Sequence, residues 1–312
     1  MALIKKSNQL SIPRNIKGLI YGQAGMGKTT LALSSPKPLL LDFDNGVKRV
    51  NNAHLGDNVG IVQVNNWLEV LTLLNQEREA INEYETIVVD TVGKMMDFII
   101  SYRCGNRSPK IQDWSNINND FKMFCATLSS MNKNILFVAH RDTRKEGDDT
   151  VFIPALREKN FSAIVTELDI LGYLEMRSEN GVQIRTITFD PTSRSEGKNT
   201  CQLPSIMSVP NIIDANGQPT GKNDFIESQI INRYMNMIAV KEQAIKSYNA
   251  VLDEIKDSVE QITDAEGANH FISNIATYKE HGNSVMMFAR DIFSKKMSEL
   301  KLKYNKTTKQ YE

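Results

Sequence analysis

The run Gly22-Gln23-Ala24-Gly25-Met26-Gly27-Lys28-Thr29 follows directly on the apolar stretch Gly18-Leu19-Ile20-Tyr21, and it constrains this chain more than any other segment. A G-x-x-x-x-G-K-T string between a strand and a helix is a phosphate-binding loop. Its glycines let backbone N–H groups turn inward around phosphate oxygens, and a helix opening at Lys28 aims its positive N-terminus at them. Lys28 then reaches the β- and γ-phosphates, and the Thr29 hydroxyl ligates Mg²⁺. The spacing predicts a nucleotide site over Gly22 to Thr30.

The pattern around the loop says what sheet carries it. Short apolar runs at 16–21, 38–43, 59–64, 85–90 and 134–139 alternate with helical stretches, among them 92–103 and 114–133. That alternation predicts an α/β fold with a mostly parallel sheet and crossover helices. Residues 167–177 and 182–190 flank Glu179-Asn180-Gly181, where Asn-Gly signals a hairpin and hence an antiparallel edge.

Ligands of open parallel sheets sit at the carboxyl ends of the strands, so the residues ending each run are the ones to weigh. Asp90 follows three branched residues and suits a carboxylate that holds Mg²⁺ through water. Asp44, in Asp42-Phe43-Asp44-Asn45-Gly46, suits the general base that orients the attacking water, although the same residues also spell a turn. Asp42 reads as structural or as support for Mg²⁺ waters. His140, ending 134–139, suits a sensor of the γ-phosphate; a lone His is also commonly a structural residue. Asp44, Lys28 and His140 form the candidate catalytic set, with ATP and Mg²⁺ as the implied ligands.

At 312 residues the chain has room for a large α/β domain and a smaller module. The reading places the core at 1–205, a Pro/Ser/Asn/Gly-rich linker at 206–223 and a helical C-terminal module at 224–312, its second helix started by a capping box at Thr263-Asp264-Ala265-Glu266. Lys+Arg and Asp+Glu are equal at 37 each, which excludes the global basic field of a dedicated duplex-DNA binder. Cys104, Cys125 and Cys201 lie far apart, without metal-ligand or disulfide spacing. No apolar run approaches the roughly 18 residues of a membrane span, and the first residues do not read as a signal peptide. A cytoplasmic protein with no membrane partner is expected.

In order, Tyr21-Gly22 to Thr30, Leu39 to Gly46, Thr86 to Val92 and Leu136 to His140 resemble the RecA-type ATPase core, and more narrowly the phage-encoded nucleotide-binding proteins that include Sak-type single-strand annealing recombinases. The resemblance covers roughly 12–205 and implies a Mg²⁺-dependent ATPase that self-associates into a ring or filament. In it Lys28, Thr29, Asp90 and Asp44 take the phosphate, metal and catalytic places. Asp44 stands where the family carries Glu, and His140 where RecA-type recombinases carry Gln. The two DNA-binding loops would fall at 102–113 (Tyr102, Arg103, Arg107, Lys110) and 141–160 (Arg141, Arg144, Lys145, Phe152, Arg157, Lys159). The second also holds Asp142, Glu146, Asp148, Asp149 and Glu158, so its net charge is zero. Arg194 or Lys198 is placed for a cation donated to the neighbouring subunit's site.

The resemblance implies a recombination protein, in a bacterial host cell if phage-encoded, that anneals or pairs single-stranded DNA. The other reading keeps the fold as a nucleotide-gated interaction module without DNA binding. Met286-Met287-Phe288 and Ile292-Phe293 give its C-terminal helices either a core or a docking face for a protein partner.

Overall fold

Runs of branched and aromatic residues become the strands of one sheet, and their periodicity of two is spent on two cores rather than one. The computed structural model describes residues 13–56 and 58–312. They divide into a unit ending at Met235 and a C-terminal unit from Asn236.

In chain order the first unit holds β1 (Lys17–Gly22), α1 (Lys28–Ala32), β2 (Pro38–Asp42), β3 (Gly60–Gln63), α2 (Trp67–Gln76), α3 (Arg78–Asn82), β4 (Thr86–Asp90), α4 (Val92–Cys104) and α5 (Asp113–Ser130). It continues with β5 (Asn134–Glu146), β6 (Asp149–Pro154), α6 (Glu158–Glu167), β7 (Ile170–Glu179), β8 (Val182–Thr188), β9 (Lys198–Asn199) and β10 (Ile206–Ser208). The sheet runs β10-β8-β7-β1-β5-β4-β2-β3. From β7 to β3 every neighbouring pair is parallel, whereas β8 and β10 form the antiparallel edge. The expected fold class is therefore the observed one.

Both faces of the central strands are buried, as a parallel sheet between helix layers requires. Leu19, Tyr21, Ile87, Val89, Ile135 and Phe137 join a core with α2, α4 and α5. Their alternates Ile20, Val88, Leu136 and Val138 join a second core with Leu31 of α1. The register sets Asp42 beside Asp90 and Gly22 beside His140, which lines up the candidate residues at one edge of the sheet.

Several expectations are corrected. The strand ending at 139 on apolar content continues to Glu146 and folds back on β6, so much of 141–160 is a hairpin and not an open loop. Gly147, at φ 64° in the two-residue turn, supplies the conformation such a hairpin favours. The composition of 206–223 suggests a linker, yet β10 pairs with β8, and Val209, Phe225, Ile226 and Ile230 are buried in the second core. The first unit thus extends to Met235, through a π-helical stretch at Ile226–Ile231.

The C-terminal unit comprises the rest of α7 (Asn232–Glu260), then α8 (Ala265–Asn274), a 3-10 stretch (Ile275–His281), α9 (Asn283–Leu300) and a short hairpin of β11 (Tyr304–Asn305) and β12 (Gln310–Tyr311). Asp264, not Thr263, caps α8, accepting from Gly267 N at 2.9 Å. Phe293 is buried in this unit's own core, stacked on Phe271 at 5.2 Å, with Met286, Phe288 and Ile292 packed against it. The apolar stripe is core, and of those residues only Met287 stands substantially exposed.

Candidate functional site

The loop after β1 is built by its glycines. Gly25 and Gly27 have φ of 79° and 78°, a left-handed conformation that side chains disfavour. Gly27 is the N-cap of α1 and offers no side-chain acceptor, so the first-turn N–H groups are left to a ligand. Lys28 is buried and folds back to donate from Nζ to the Gln23 carbonyl at 2.9 Å. Burial lowers its pKa, with Asp90 and Asp44 opposing that shift.

Thr29 Oγ1 donates to Asp90 Oδ2 at 2.5 Å, joining the loop to the end of β4. Burial raises the Asp90 pKa to about 6; the Thr29 hydrogen bond works against the shift, and Asp44 and Asp42 add to it. The hydroxyl and carboxylate that a hard divalent ion requires are thus already adjacent. No group of three or more His, Cys, Asp or Glu side chains forms a metal cage among the described residues. This donor set fits Mg²⁺, which is held by few protein oxygens together with substrate phosphates.

The raised pKa makes a stability prediction for the nucleotide-free protein. A carboxyl with a folded pKa of about 6 against 3.8 contributes stability that is present below 3.8 and lost as pH rises through about 6. At pH 7.5 the ionised, buried Asp90 costs about 3 kcal/mol. Asp90→Asn is therefore expected to stabilise the free protein by up to that amount at pH 7.5, and by progressively less as pH falls below 6. Urea unfolding at several pH values checks this; a pH-independent difference would refute it.

Asp42 is committed to structure. Its carboxylate accepts from Gly46 N at 2.9 Å and Val47 N at 3.0 Å, capping the 3-10 turn Gly46–Arg49. That cap presents Asp44, whose Oδ1 is buried and has no hydrogen-bond partner among the described residues. Asp44 Oδ2 lies 3.9 Å from Arg49 Nη2. His140 is exposed by area yet shielded enough that partial burial, then Lys28, lowers its pKa, which keeps the ring neutral at pH 7. Lys28, Thr29, Asp44, Asp90 and His140 all line one cavity of about 410 Å³, together with Arg49 and Thr91, which no motif singles out.

The outlying candidates fare differently. Arg103 makes a bidentate pair with Asp120, and Arg107 with Asp113. Arg144 bridges Glu146 and Glu196, while Arg141 packs its guanidinium 4.4 Å from the centre of the Phe152 ring and donates to Tyr173 Oη. Lys110 and Lys145 make no ion pair among the described residues. The Lys198 ammonium donates to the Val165 and Thr166 carbonyls at the C-terminal end of α6. Arg194 lies 5.9 Å from the Phe152 ring. The β5–β6 hairpin is tied to the loop strand by Tyr21, whose hydroxyl is within hydrogen-bond distance of the Phe152 and Glu196 carbonyls.

The fold and this cavity define a P-loop ATPase domain. Residues 14–201 match the family described as AAA domain, and the chain belongs to it. The SPbeta prophage-derived uncharacterized protein YorG of Bacillus subtilis (strain 168) is 27% identical over 175 residues, which are 52% of this chain and 50% of that protein. The chain spans about half the length of this curated relative. A solved structure, the KaiC-like protein PH0186 from Pyrococcus horikoshii OT3, aligns with a TM-score of 0.38 at 12% identity, over 62% of this chain and 89% of that one. Among the described residues no helix is long and apolar enough to cross a membrane.

Proposed function

We propose that this chain is a Mg²⁺-dependent ATPase of the phage recombination type, acting on single-stranded DNA. The observation that carries the ATPase part is the convergence of Lys28, Thr29, Asp44, Asp90 and His140 on one cavity at the carboxyl ends of the sheet. Lys28 and the loop N–H groups hold the β- and γ-phosphates. Thr29 Oγ1 and the Asp90 carboxylate would hold Mg²⁺. Bound Mg²⁺ supplies positive charge against the phosphate oxygens. Asp44 orients a water and takes its proton, and neutral His140 hydrogen-bonds near the γ-phosphate and passes its presence to the hairpin that begins at the next residue.

For the DNA part, a groove of about 1150 Å³ runs between α5 and α6, lined by Trp114, Asn116, Asn119, Lys122 and Lys159, with the carboxylate of Glu158 beside them. Arg157 stacks on Trp114, 3.3 Å from the ring centre. Amides for base edges, lysines for phosphates and a stacking platform are what a single strand uses. The groove adjoins both segments that the RecA resemblance gives to DNA, and the prophage origin of the YorG relative agrees with a phage role. Assembly into a ring or filament belongs to the same reading.

The intramolecular pairing of Arg103, Arg107 and Arg144 favours the alternative, a nucleotide-gated module that binds a protein and no DNA. Fluorescence anisotropy of labelled poly-dT separates the two, with Mg²⁺ and a non-hydrolysable ATP analogue present or absent. The DNA reading expects binding that nucleotide enhances, salt weakens and Lys122→Ala with Lys159→Ala reduces several-fold. No binding in any state sinks it and leaves the module.

A further inference from the structure

The nucleotide cavity contains a cation that no motif announces. Arg49 is the last residue of the 3-10 turn that Asp42 caps, so the element that presents Asp44 also fixes where Arg49 starts. Its Nη2 stands 3.9 Å from Asp44 Oδ2, beyond hydrogen-bond reach, and its side chain is 65% exposed. A pair so open to water is weak. Arg103, Arg107 and Arg144, by contrast, meet their carboxylates at 2.5 to 2.6 Å.

Charge balance in the cavity points the same way. Its ionised side chains are Lys28, Arg49, Asp44 and Asp90, which cancel; without Arg49 the lining carries net negative charge around a site meant for a polyanion. Asp44 makes no hydrogen bond to Arg49: its buried Oδ1 goes without a partner and its Oδ2 lies 3.9 Å from the guanidinium. A guanidinium offers several donors in a planar fork suited to phosphate oxygens, and this one lies at the mouth of the cavity without a firm commitment.

We propose that Arg49 recognises the γ-phosphate from within the same chain. With a nucleoside diphosphate it stays beside Asp44; with a triphosphate it turns to the terminal phosphoryl group and leaves the Asp44 carboxylate. This rests on the nucleotide reading of the cavity and adds to it how the site tells ATP from ADP.

Calorimetric titration of the full chain with Mg²⁺-ADP and with Mg²⁺ and a non-hydrolysable ATP analogue tests it, using wild type, Arg49→Ala, Arg49→Lys and Lys28→Ala. Arg49→Ala should weaken the analogue about tenfold or more while ADP stays within about twofold, since a charge-assisted contact is lost for one ligand alone. Arg49→Lys should recover part of the loss. Equal weakening of both ligands would assign Arg49 to the turn's structure and overturn the proposal, as would no weakening of either. Wild-type protein that binds neither ligand, or Lys28→Ala that binds both normally, would overturn the nucleotide reading itself, a result distinct from a sound ADP site whose Arg49 does not discriminate.

Discussion

Lys28→Ala is expected to weaken ATP binding by about a hundredfold or more and to abolish hydrolysis while leaving the protein folded. Lys28 Nζ is the buried cation of the loop, held at 2.9 Å by the Gln23 carbonyl and flanked by Asp90 and Asp44. A charge-assisted contact contributes about 1.5–3 kcal/mol, and one ammonium facing two phosphates approaches or exceeds the roughly 2.8 kcal/mol that a hundredfold loss represents. The free protein loses little, because burial already disfavours this charge and the Gln23 carbonyl can turn to water. Calorimetric ATP titration beside a thermal melt checks both halves. Affinity within about threefold of wild type, with an unchanged melt, would remove Lys28 from the phosphate site.

The phosphate loop was legible because all of its parts are contiguous: glycines that need positive φ, a lysine and a threonine at fixed offsets. Asp90, Asp44 and His140 were legible for a different reason. Once the sheet is parallel, the residues ending the apolar runs must share an edge, and the pairing of Asp42 with Asp90 and of Gly22 with His140 is that edge. The role of Asp42 needed the structure, since only the turn geometry shows its carboxylate spent on Gly46 and Val47. Arg49 was illegible because it reaches the cavity through the sense of one 3-10 turn, which leaves no periodic trace. The contacts of Lys198 were illegible because its partners, the carbonyls of Val165 and Thr166, lie some thirty positions away and belong to a helix end. The stretch 206–223 misled for a related reason: β10 is three residues long, and irregular segments bury their apolar residues singly, so composition shows only turns. Charge counting at 141–160 could not reveal that hairpin pairing and cation–π contact with Phe152 engage Arg141.

Asp44→Asn is expected to lower kcat by about a hundredfold to a thousandfold with nucleotide affinity nearly unchanged, because general-base assistance of this kind is worth about 10²–10⁴. The carboxylate lies beside the loop without touching it: the buried Oδ1 has no partner among the described residues, and Oδ2 has only Arg49 at 3.9 Å. Its removal breaks no hydrogen bond that shapes the phosphate site, so the loss should fall on turnover and not on binding. The neighbouring turn supplies an independent check. A Cβ added at Gly46 would stand 2.7 Å from Asp44 Oδ1 and 3.4 Å from Arg49 Nη2, so Gly46→Ala must displace the carboxylate without altering its chemistry. If Asp44 acts by position, Gly46→Ala reproduces part of the loss in kcat, and combining it with Asp44→Asn adds little further, as coupled sites behave. Steady-state phosphate release with parallel nucleotide titration distinguishes the outcomes. Equal loss of binding and turnover in Asp44→Asn would make Asp44 a structural residue of the turn, and full activity in that variant would place the base elsewhere in the cavity.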